Sequence, residues 1–429
     1  MATITPTDPG IGNEAFTAIN NAYASANDGD VIDVTSWPVG DRLFSGVVNT
    51  TKLVSFKGPG IGLVFKRSEA TPDDTIWDNN ALTGWHYMIR YNINSDKPCG
   101  IDFSGITLKS KIPSVNDGSD GLSMTADRGL GFLNAVDFRV FNCRFENFGD
   151  GGLEIRHKDY LARGVVYNCQ FYHNYKGALG LGLGYGVTVY GEGNNWYPNM
   201  GNNHGTSAFI FIEDCSFDYH RHSVATAGNS IHVVRYNTFA HNIVAQSHCL
   251  DTHDSRGPGN GTNSYGSRVW EIYNNTIINT TFLDGTPIAN GANISTIQER
   301  AIGALSGDGV IHDNVCSGYR FMIGYRQTQS TSDNYPYIQQ GGWMSGRRKG
   351  SANTASDPIA ADGDFWEWNN TFTPYISSPV VSSQKNFDQY DYKAPGTSNP
   401  YYLQNRDWHS AAKPGYVPYA YPHPDRLRV

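Results

Sequence analysis

The stretch Asn142-Cys143-Arg144-Phe145 is the first of seven related segments, in each of which two positions rich in Asn, Asp or Cys are followed two residues later by a side chain of a buried type. The last residues of the segments are separated by 26, 46, 22, 38, 39 and 56 positions. A weaker segment at Tyr190-Gly191-Glu192-Gly193-Asn194 divides the 46-residue step, so the underlying period is about twenty residues with inserted loops. A repeat of this length indicates a solenoid. The other six segments end at Phe171, Phe217, Phe239, Ile277, Cys316 and Phe372.

Short segments beside the repeats have the composition of β-strands. Phe209-Ile210-Phe211-Ile212 and His232-Val233-Val234-Arg235 are β-branched or aromatic and are bounded by Gly, Asn and Asp. Coils of a β-solenoid stack at about 4.8 Å, so equivalent side chains form columns. The second repeat position reads Cys, Cys, Cys, Asn, Asn, Asn, Asn, as expected for an internal ladder, and Asn also tolerates the left-handed backbone of a tight corner. The sequence therefore predicts an all-β, single-stranded right-handed parallel β-helix.

The chain divides into three expected parts. Residues 1–45 form an N-terminal cap in which 13–27 carry apolar residues at helical spacing, 46–375 form the β-helix, and 376–429 form an irregular C-terminal segment packed along its outside. Long insertions in the β-helix are expected to carry function, because loops on a rigid scaffold commonly do. We place these insertions at 180–207, 254–267, 279–300 and 325–362.

Composition limits the partners of the protein. The 429-residue chain has a formal net charge of −8 and no apolar run of eighteen residues, so it has neither a nucleic-acid-binding nor a membrane-spanning signature. We expect a monomer that is secreted or displayed at the cell surface, although the start Met1-Ala2-Thr3-Ile4-Thr5 lacks the features of a signal peptide. Cys143, Cys169 and Cys215 share one column and are expected to be buried free thiols, with a Cys143–Cys169 bridge as the alternative.

Several segments resemble those of a known group of proteins. The coil pattern, the capping segment 26–32 and the stretch 187–275 are similar to the pectate-lyase-like superfamily of right-handed β-helix proteins. Within that stretch, Arg221-His222-Ser223-Val224-Ala225, Val234-Arg235-Tyr236-Asn237 and Asp251-Thr252-His253 resemble segments of bacterial β-helix proteins thought to act on polysaccharides. The resemblance covers residues 25–375 and implies a parallel β-helix that acts on a polysaccharide.

Histidines are concentrated in one part of the sequence, with seven of the 13 inside fifty residues. A functional site is the favoured explanation, although His232 and His241 are expected to be packing or surface residues. No zinc-binding spacing such as His-Glu-x-x-His occurs among them. The seven are His204, His220, His222, His232, His241, His248 and His253.

Aligning the coils predicts a shallow trough on one sheet. The repeat places 153–156 beside 179–182, and matching His222 with His248 places 224–227 beside 250–253. Strand side chains alternate between the two faces, so charged groups then face outward over a floor of small residues, which suits a sugar chain. The charged groups are Glu154, Arg156, Asp251 and His253, and the floor is Gly180, Gly182, Ala225 and Ala227.

The residues near this trough suit β-elimination of a uronic-acid polymer. That reaction requires a cation at the carboxylate, a base for the weakly acidic C5 proton and an acid for the leaving oxygen. We predict His253 or His222 as the base, Tyr265 as the acid, and Arg235 and Arg268 at the carboxylate, because Arg has a planar donor fork. The remaining predicted substrate-binding residues are Arg156, Arg256, Asp251, His248 and Glu154.

Two other classes of function remain open at this point. A glycoside hydrolase would use Glu154 and Asp251 as a carboxylate pair across the trough. A non-catalytic carbohydrate-binding solenoid of the tailspike type would depend on aromatic residues and not on the histidines. The same two carboxylates could instead hold a calcium ion, since calcium prefers oxygen ligands; no other cofactor is expected.

Overall fold

The computed structural model describes residues 1–68, 86–93, 100–110, 127–157, 163–174, 184–191, 204–228, 230–240, 248–252, 267–279, 300–304, 307–325, 365–374, 383–387, 405 and 408–428. Within these ranges there is one α-helix, α1 (Phe16–Ser25), and a 3₁₀ turn at Pro424–Leu427. The strands are β1 (Thr3–Ile4), β2 (Val31–Asp33), β3 (Gly40–Phe44), β4 (Val48–Thr50), β5 (Ser55–Lys57), β6 (Leu63–Arg67), β7 (His86–Asn92), β8 (Ile101–Ser104), β9 (Thr107–Lys109), β10 (Asp127–Leu133), β11 (Phe138–Phe141), β12 (Arg144–Glu146), β13 (Gly151–His157), β14 (Gly164–Tyr167), β15 (Gln170–Tyr172), β16 (Tyr185–Gly191), β17 (Ile210–Glu213), β18 (Ser216–Asp218), β19 (His222–Ala227), β20 (Ile231–Arg235), β21 (Thr238–Ala240), β22 (His248–Thr252), β23 (Val269–Tyr273), β24 (Thr276–Ile278), β25 (Arg300–Ala304), β26 (Asp308–His312), β27 (Val315–Tyr319), β28 (Phe321–Tyr325), β29 (Phe365–Trp368), β30 (Thr371–Pro374), β31 (Ser383–Phe387) and β32 (Trp408–His409).

The strands form three parallel sheets, and each coil of the chain visits the three in turn. The first sheet has 12 strands and runs from β1 and β2 to β32, the second has 10 and runs from β3 to β30, and the third has 10 and runs from β4 to β31. Every described pairing is parallel and joins one coil to the next, for example β13 to β16 and β16 to β19. Parallel strands connected by such crossovers wind with a right hand. The predicted right-handed parallel β-helix is confirmed.

The repeated segment forms the corner between the first and second sheets. Its first residue has a left-handed backbone in all seven copies, with φ from 52° to 56°, including the bulky Tyr236. Its second residue points inward and forms the amide ladder: the Asn275 Oδ1 accepts from the Asn237 backbone N–H at 3.0 Å and from the Asn237 Nδ2 at 3.1 Å. Asn275 and Asn314 repeat this contact on the next coil. The predicted ladder is confirmed, and it satisfies backbone groups that a tight corner would otherwise bury without partners.

Thiols and aromatic rings continue the columns inside the solenoid. Cys143, Cys169 and Cys215 are buried and free, so the alternative of a Cys143–Cys169 bridge is wrong. Burial raises the pKa of the Cys169 thiol well above its usual value, which keeps it protonated and unreactive. The last positions of the repeat, Phe145, Phe171, Phe217 and Phe239, stack with ring centroids 4.7–5.1 Å apart.

The C-terminal segment crosses the outer face of the first sheet from its late coils back to its early ones. Lys413 pairs with Asp308, and the Tyr416 hydroxyl donates to Glu271. Further along, Arg426 pairs with Glu213 at 3.0 Å, and the Arg428 carbonyl accepts from Arg139. The tail therefore uses charged groups that face outward from four separate coils of the first sheet, and it occupies that face.

The expected alignment of one coil is wrong. The 46-residue step between Phe171 and Phe217 holds a single coil, because β16 is a third-sheet strand and Glu154 pairs in register with Thr188. Tyr190 in the proposed weaker repeat is therefore not part of a corner. The strand β16 also lies inside the range expected to be an insertion, 180–207, whereas Leu179, Gly180, Leu181 and Gly182 lie outside the described residues.

Candidate functional site

The outer face of the third sheet has an excess of basic side chains. We count the described side chains that point outward from its strands or directly precede them. Among these, arginines outnumber carboxylates two to one. This excess contrasts with the net charge of −8 for the whole chain. Such a local basic surface attracts an acidic partner. The arginines are Arg90, Arg128, Arg156, Arg221, Arg300 and Arg320, and the carboxylates are Asp150, Glu154 and Asp251.

A trough lies in the middle of this face. The paired residues Thr188 and Ala225 form a buried floor of small side chains. Partly exposed side chains stand on both sides of it: Tyr185 and Arg221 near the strand starts, Tyr190 near the strand ends. Ala225, which the sequence predicted for the floor, lies on this face between Thr188 and Asp251. Thr188 occupies the position that Gly180 was predicted to occupy.

His222 and Asp251 lie at one end of the trough on adjacent strands. The His222 Nδ1 is 2.5 Å from the His248 carbonyl oxygen, and its Nε2 is 3.5 Å from the Asp251 Oδ2. A carbonyl can only accept, so Nδ1 carries the hydrogen and, in the neutral ring, Nε2 carries the lone pair. The predicted register, with Ala225 beside Asp251, is confirmed. These two contacts fix the orientation of the imidazole between the His248 carbonyl and the Asp251 carboxylate.

Small residues on the next coils leave room for the outward side chains. A Cβ on Gly303 would fall 2.4 Å from the His248 ring, and one on Gly324 would fall 1.9 Å from the Arg300 side chain. Both glycines therefore lie directly beneath the side chain of the preceding coil. His248 and Arg300 are paired in register, so the basic column continues past His222 toward the C-terminal coils.

Tyr185 was missed by the sequence reasoning. Its ring stacks on His222 with centroids 5.8 Å apart and planes at 12°, and its hydroxyl accepts a hydrogen bond from the Arg221 Nη1 at 3.0 Å. Burial raises the pKa of Tyr185 above its usual value, and nearby Arg221 partly opposes the rise. The phenol is thus protonated near neutral pH, and the guanidinium bound to its oxygen lowers the energy of the phenolate form.

A buried charge cluster lies on the N-terminal side of the trough. Arg128 pairs with both Asp150 and Glu154, and Glu154 also pairs with Arg156. Arg128, Asp150 and Glu154 are buried, whereas the Arg156 side chain is 40% exposed. Arg156 is the member of the cluster that a ligand can reach.

Glu154 and Asp251 are not neighbours. They occupy one outward column but are separated by Thr188 and Ala225, which makes three strand spacings, or about 14 Å. Two carboxylates at this separation cannot share one calcium ion, whose ligand distances are about 2.3–2.6 Å. Within the described ranges no group of three His, Cys, Asp or Glu residues could hold a metal ion. The predicted calcium pair is therefore wrong.

The structure separates the other predicted site residues. Arg235 is in the first sheet, fully buried, paired with Glu213 at 2.7 Å and covered by the tail, so its prediction as a carboxylate ligand beside His222 is wrong. Arg268 directly precedes β23 of the first sheet and is buried near the corner with the third sheet. His253, Arg256 and Tyr265 lie outside the described residues and stay predictions.

The sequence cluster of histidines is only partly a cluster in space. His222 and His248 share the third sheet, whereas His232 belongs to the first sheet, His220 lies at an interior corner and His204 bonds Asp308 beside the tail. Burial lowers the pKa of His232 to about 3, as expected for the packing role predicted for it. His241 lies outside the described residues.

The corner histidine His220 should make the protein sensitive to acid. Its Nδ1 accepts from the Asn174 backbone N–H at 3.3 Å, and burial lowers its pKa to about 4. In the unfolded chain the pKa of this histidine is near 6.5. The contribution of neutral His220 to the free energy of unfolding is therefore fully present above pH 6.5 and is lost as the pH falls toward 4. We expect this group to lower the free energy of unfolding by about 2 kcal/mol between pH 7 and pH 5. Urea denaturation of the wild type and His220→Gln at both pH values tests this; equal losses in the two proteins would contradict it.

Comparisons with known proteins identify no family for this chain. No family model matches the sequence, and no curated protein matches it. Among solved structures, alginate lyase from Paenibacillus sp. str. FPU-7 aligns over 90% of this chain and 99% of its own, with 10% identity and a TM-score of 0.46. Tailspike protein 3 of bacteriophage CBA120 aligns over 89% of this chain and 60% of its own, with 11% identity and a TM-score of 0.25. Similarities of this size carry no information on activity.

The chain is thus a right-handed parallel β-helix protein with one sheet covered by its own tail and a basic trough on another. In the described part of the chain, no helix is long and apolar enough to cross a membrane.

Proposed function

We propose that the protein is a polysaccharide lyase that cleaves a uronic-acid-containing chain by β-elimination in the trough of the third sheet. The observation that carries this proposal is the stacked pair of Tyr185 and His222, with Arg221 bound to the phenol and Asp251 beside the imidazole. A proton acceptor, a proton donor and a cation are the three groups that the reaction needs.

His222 acts as the base and Tyr185 as the acid. The C5–H bond of the uronate breaks, its proton goes to the His222 Nε2, and its electron pair forms the C4=C5 double bond. The C4–O bond breaks at the same time, and the leaving oxygen takes the phenolic proton of Tyr185. Asp251 stabilises the imidazolium and Arg221 the phenolate, and the proton then returns from His222 to Tyr185 through solvent.

Arginines beside the trough supply the positive charge that the reaction needs. Removing the C5 proton places negative charge on the uronate carboxylate, and a guanidinium held close to it stabilises this charge. Arg221 is partly exposed and precedes His222 directly in the chain, so we assign this role to it. Arg235, which the sequence suggested for the role, is excluded because the tail covers it.

A glycoside hydrolase is less well supported. Hydrolases of this kind need two carboxylates roughly 5–10 Å apart on either side of the glycosidic bond. Glu154 and Asp251 are about 14 Å apart along the sheet, from three spacings of about 4.8 Å. Asp150 and Glu154 are close to each other, but both are buried and bound to Arg128. Neither pair offers the open geometry that hydrolysis requires.

Assays on a panel of polysaccharides test the proposal. Incubation with alginate, polygalacturonate, glucuronan and a neutral glucan should give an ultraviolet-absorbing unsaturated product from at least one of the three acidic polymers and none from the glucan. Tyr185→Phe should lower kcat on that polymer by about 10²-fold or more, because the proton donor is lost. Tyr172→Phe is the matched control, since Tyr172 is partly exposed on the second sheet and should leave the rate unchanged.

The products distinguish the three classes of function. New reducing ends without ultraviolet absorbance would indicate a hydrolase and contradict the proposal. Binding of a polysaccharide with no product, unchanged in Tyr185→Phe, would indicate a carbohydrate-binding solenoid. Full activity of Tyr185→Phe would retain the lyase class but remove Tyr185 as the acid.

A further inference from the structure

We propose that Arg156 and Tyr190 form a second carboxylate-binding subsite, so that the protein recognises polymers with consecutive uronates and not single uronates in a neutral chain. This inference rests on the proposed function in that it places the subsite in the same trough. The juxtaposition that carries it is an exposed guanidinium anchored by a buried carboxylate and stacked over a partly exposed tyrosine.

The anchoring leaves one edge of the guanidinium for a ligand. The Arg156 Nε donates to the Glu154 Oε1, and the guanidinium carbon lies 5.5 Å from the centroid of the Tyr190 ring. In the described part of the chain, no protein acceptor binds the two Nη groups of Arg156. These two groups form the fork that matches a carboxylate, while the aromatic ring beside them offers a flat surface to the sugar.

The guanidinium is held in place before any ligand arrives. Glu154 is fully buried and pairs with Arg128 as well as with Arg156, so the carboxylate that holds Arg156 cannot move freely. Burial raises the pKa of Tyr190 well above its usual value, so its ring carries no charge that would repel a uronate. A fixed fork loses less conformational entropy on binding than a mobile surface arginine.

The subsite lies too far from His222 to serve the reacting sugar. Arg156 is on β13 and His222 on β19, with β16 between them, so the two are two strand spacings or about 10 Å apart along the solenoid axis. Arg156 is also in register with Tyr190 and Ala227, on the opposite side of the floor from His222. A uronate bound at Arg156 is therefore a different unit of the same polymer.

The second sheet provides a matched comparison. Arg144 lies 4.9 Å from the centroid of the Tyr172 ring, and its Nε pairs with Glu146 at 2.9 Å. The Arg144 Nη1, however, donates to Gln170 at 3.1 Å, so the fork of this arginine is already bound within the protein. Both arginines pair with a glutamate through Nε and lie beside a tyrosine ring. They differ in that the Arg144 Nη1 is bound to Gln170, and in that Arg144 is on the second sheet and Arg156 on the third.

Binding measurements test the subsite independently of catalysis. The dissociation constants of alginate, polygalacturonate and glucuronan are measured by affinity electrophoresis for the wild type, Arg156→Gln and Arg144→Gln. We expect Arg156→Gln to weaken binding of the preferred polymer by about tenfold or more, because a charged hydrogen bond to a carboxylate is lost, and Arg144→Gln to leave it unchanged. Carboxyl-reduced samples of the same polymer should bind weakly to all three proteins and remove the difference between them.

The outcomes separate this inference from the proposed function. An unchanged dissociation constant for Arg156→Gln, or equal weakening by Arg144→Gln, would overturn the subsite even if the wild type is an active lyase. Absence of binding to all three polymers would overturn it as well. Weakened binding by Arg156→Gln in a protein that forms no unsaturated product would support the subsite and contradict the lyase proposal.

Discussion

His222→Gln is expected to lower kcat on the cleaved polysaccharide by 10²- to 10⁴-fold, the usual contribution of a positioned general base. Glutamine can still donate from its side-chain amide toward the His248 carbonyl, which the His222 Nδ1 contacts at 2.5 Å. It cannot accept a proton, so the chemical step alone is affected. Initial rates of ultraviolet absorbance give kcat and KM, and KM should change little, because the sugar is still bound by the rest of the trough.

The controls for His222→Gln separate chemistry from folding. His409→Gln changes a partly exposed histidine that stacks on Trp366 at 3.7 Å in the first sheet, and it should retain full activity. The melting temperature of His222→Gln should stay close to that of the wild type. Full activity of a folded His222→Gln would remove His222 as the base and leave His253, which the sequence also suggested, as the remaining histidine candidate.

The repeat predicted the fold because its physical constraint is local and occurs on every coil. The corner needs a left-handed residue followed by an inward amide or thiol, and both positions can be read directly from Asn142-Cys143 and from Asn274-Asn275. Stacking then fixes which residues become neighbours. For this reason the match of His222 with His248, 26 residues apart, was correct.

The site was predicted less well because nearness in sequence is not nearness in space on a solenoid. Arg235 is only 13 residues from His222, but between them the chain leaves the third sheet after Ala227, turns a corner and enters the first sheet at Ile231. The tail that covers Arg235 comes from residues 419–420, and no periodic pattern in the sequence indicates where an irregular segment docks. Sequence spacing therefore identified the residue type but placed it on the wrong sheet.

A second repeated motif would have located Tyr185. Three successive strands of the third sheet share one pattern near their starts: Gly129-Leu130-Gly131-Phe132, Gly152-Leu153-Glu154-Ile155 and Gly186-Val187-Thr188-Val189. The first glycine is required because a Cβ would fall 2.8 Å from Phe145 at Gly152 and 2.7 Å from Phe217 at Gly186. The third copy shows that β16 includes 186–189 and places Tyr185 directly before the glycine.

The packing of the tail on the first sheet is expected to depend strongly on Arg235. Its guanidinium is fully buried and donates to Glu213, to the Tyr273 hydroxyl at 2.8 Å, and to the backbone carbonyls of Tyr419 and Ala420 at 2.7 and 2.8 Å. Arg235→Met removes these donors and leaves Glu213 buried with an incomplete set of partners. Breaking a buried pair in this way costs about 3–5 kcal/mol, so we expect a loss of that size in the free energy of unfolding, measured by urea denaturation.

Two further variants decide whether the unpaired charge is the cause. Glu213→Gln in the Arg235→Met background removes the buried charge and should recover part of the stability, because a neutral amide costs less to bury than a carboxylate. Arg144→Met, at an arginine whose side chain is 30% exposed, should cost no more than about 1 kcal/mol. Limited proteolysis should cut the tail of Arg235→Met faster than that of the wild type, since the tail loses the hydrogen bonds to Tyr419 and Ala420. If Arg235→Met unfolds at the same urea concentration as the wild type, the ion pair beneath the tail does not hold the segment in place.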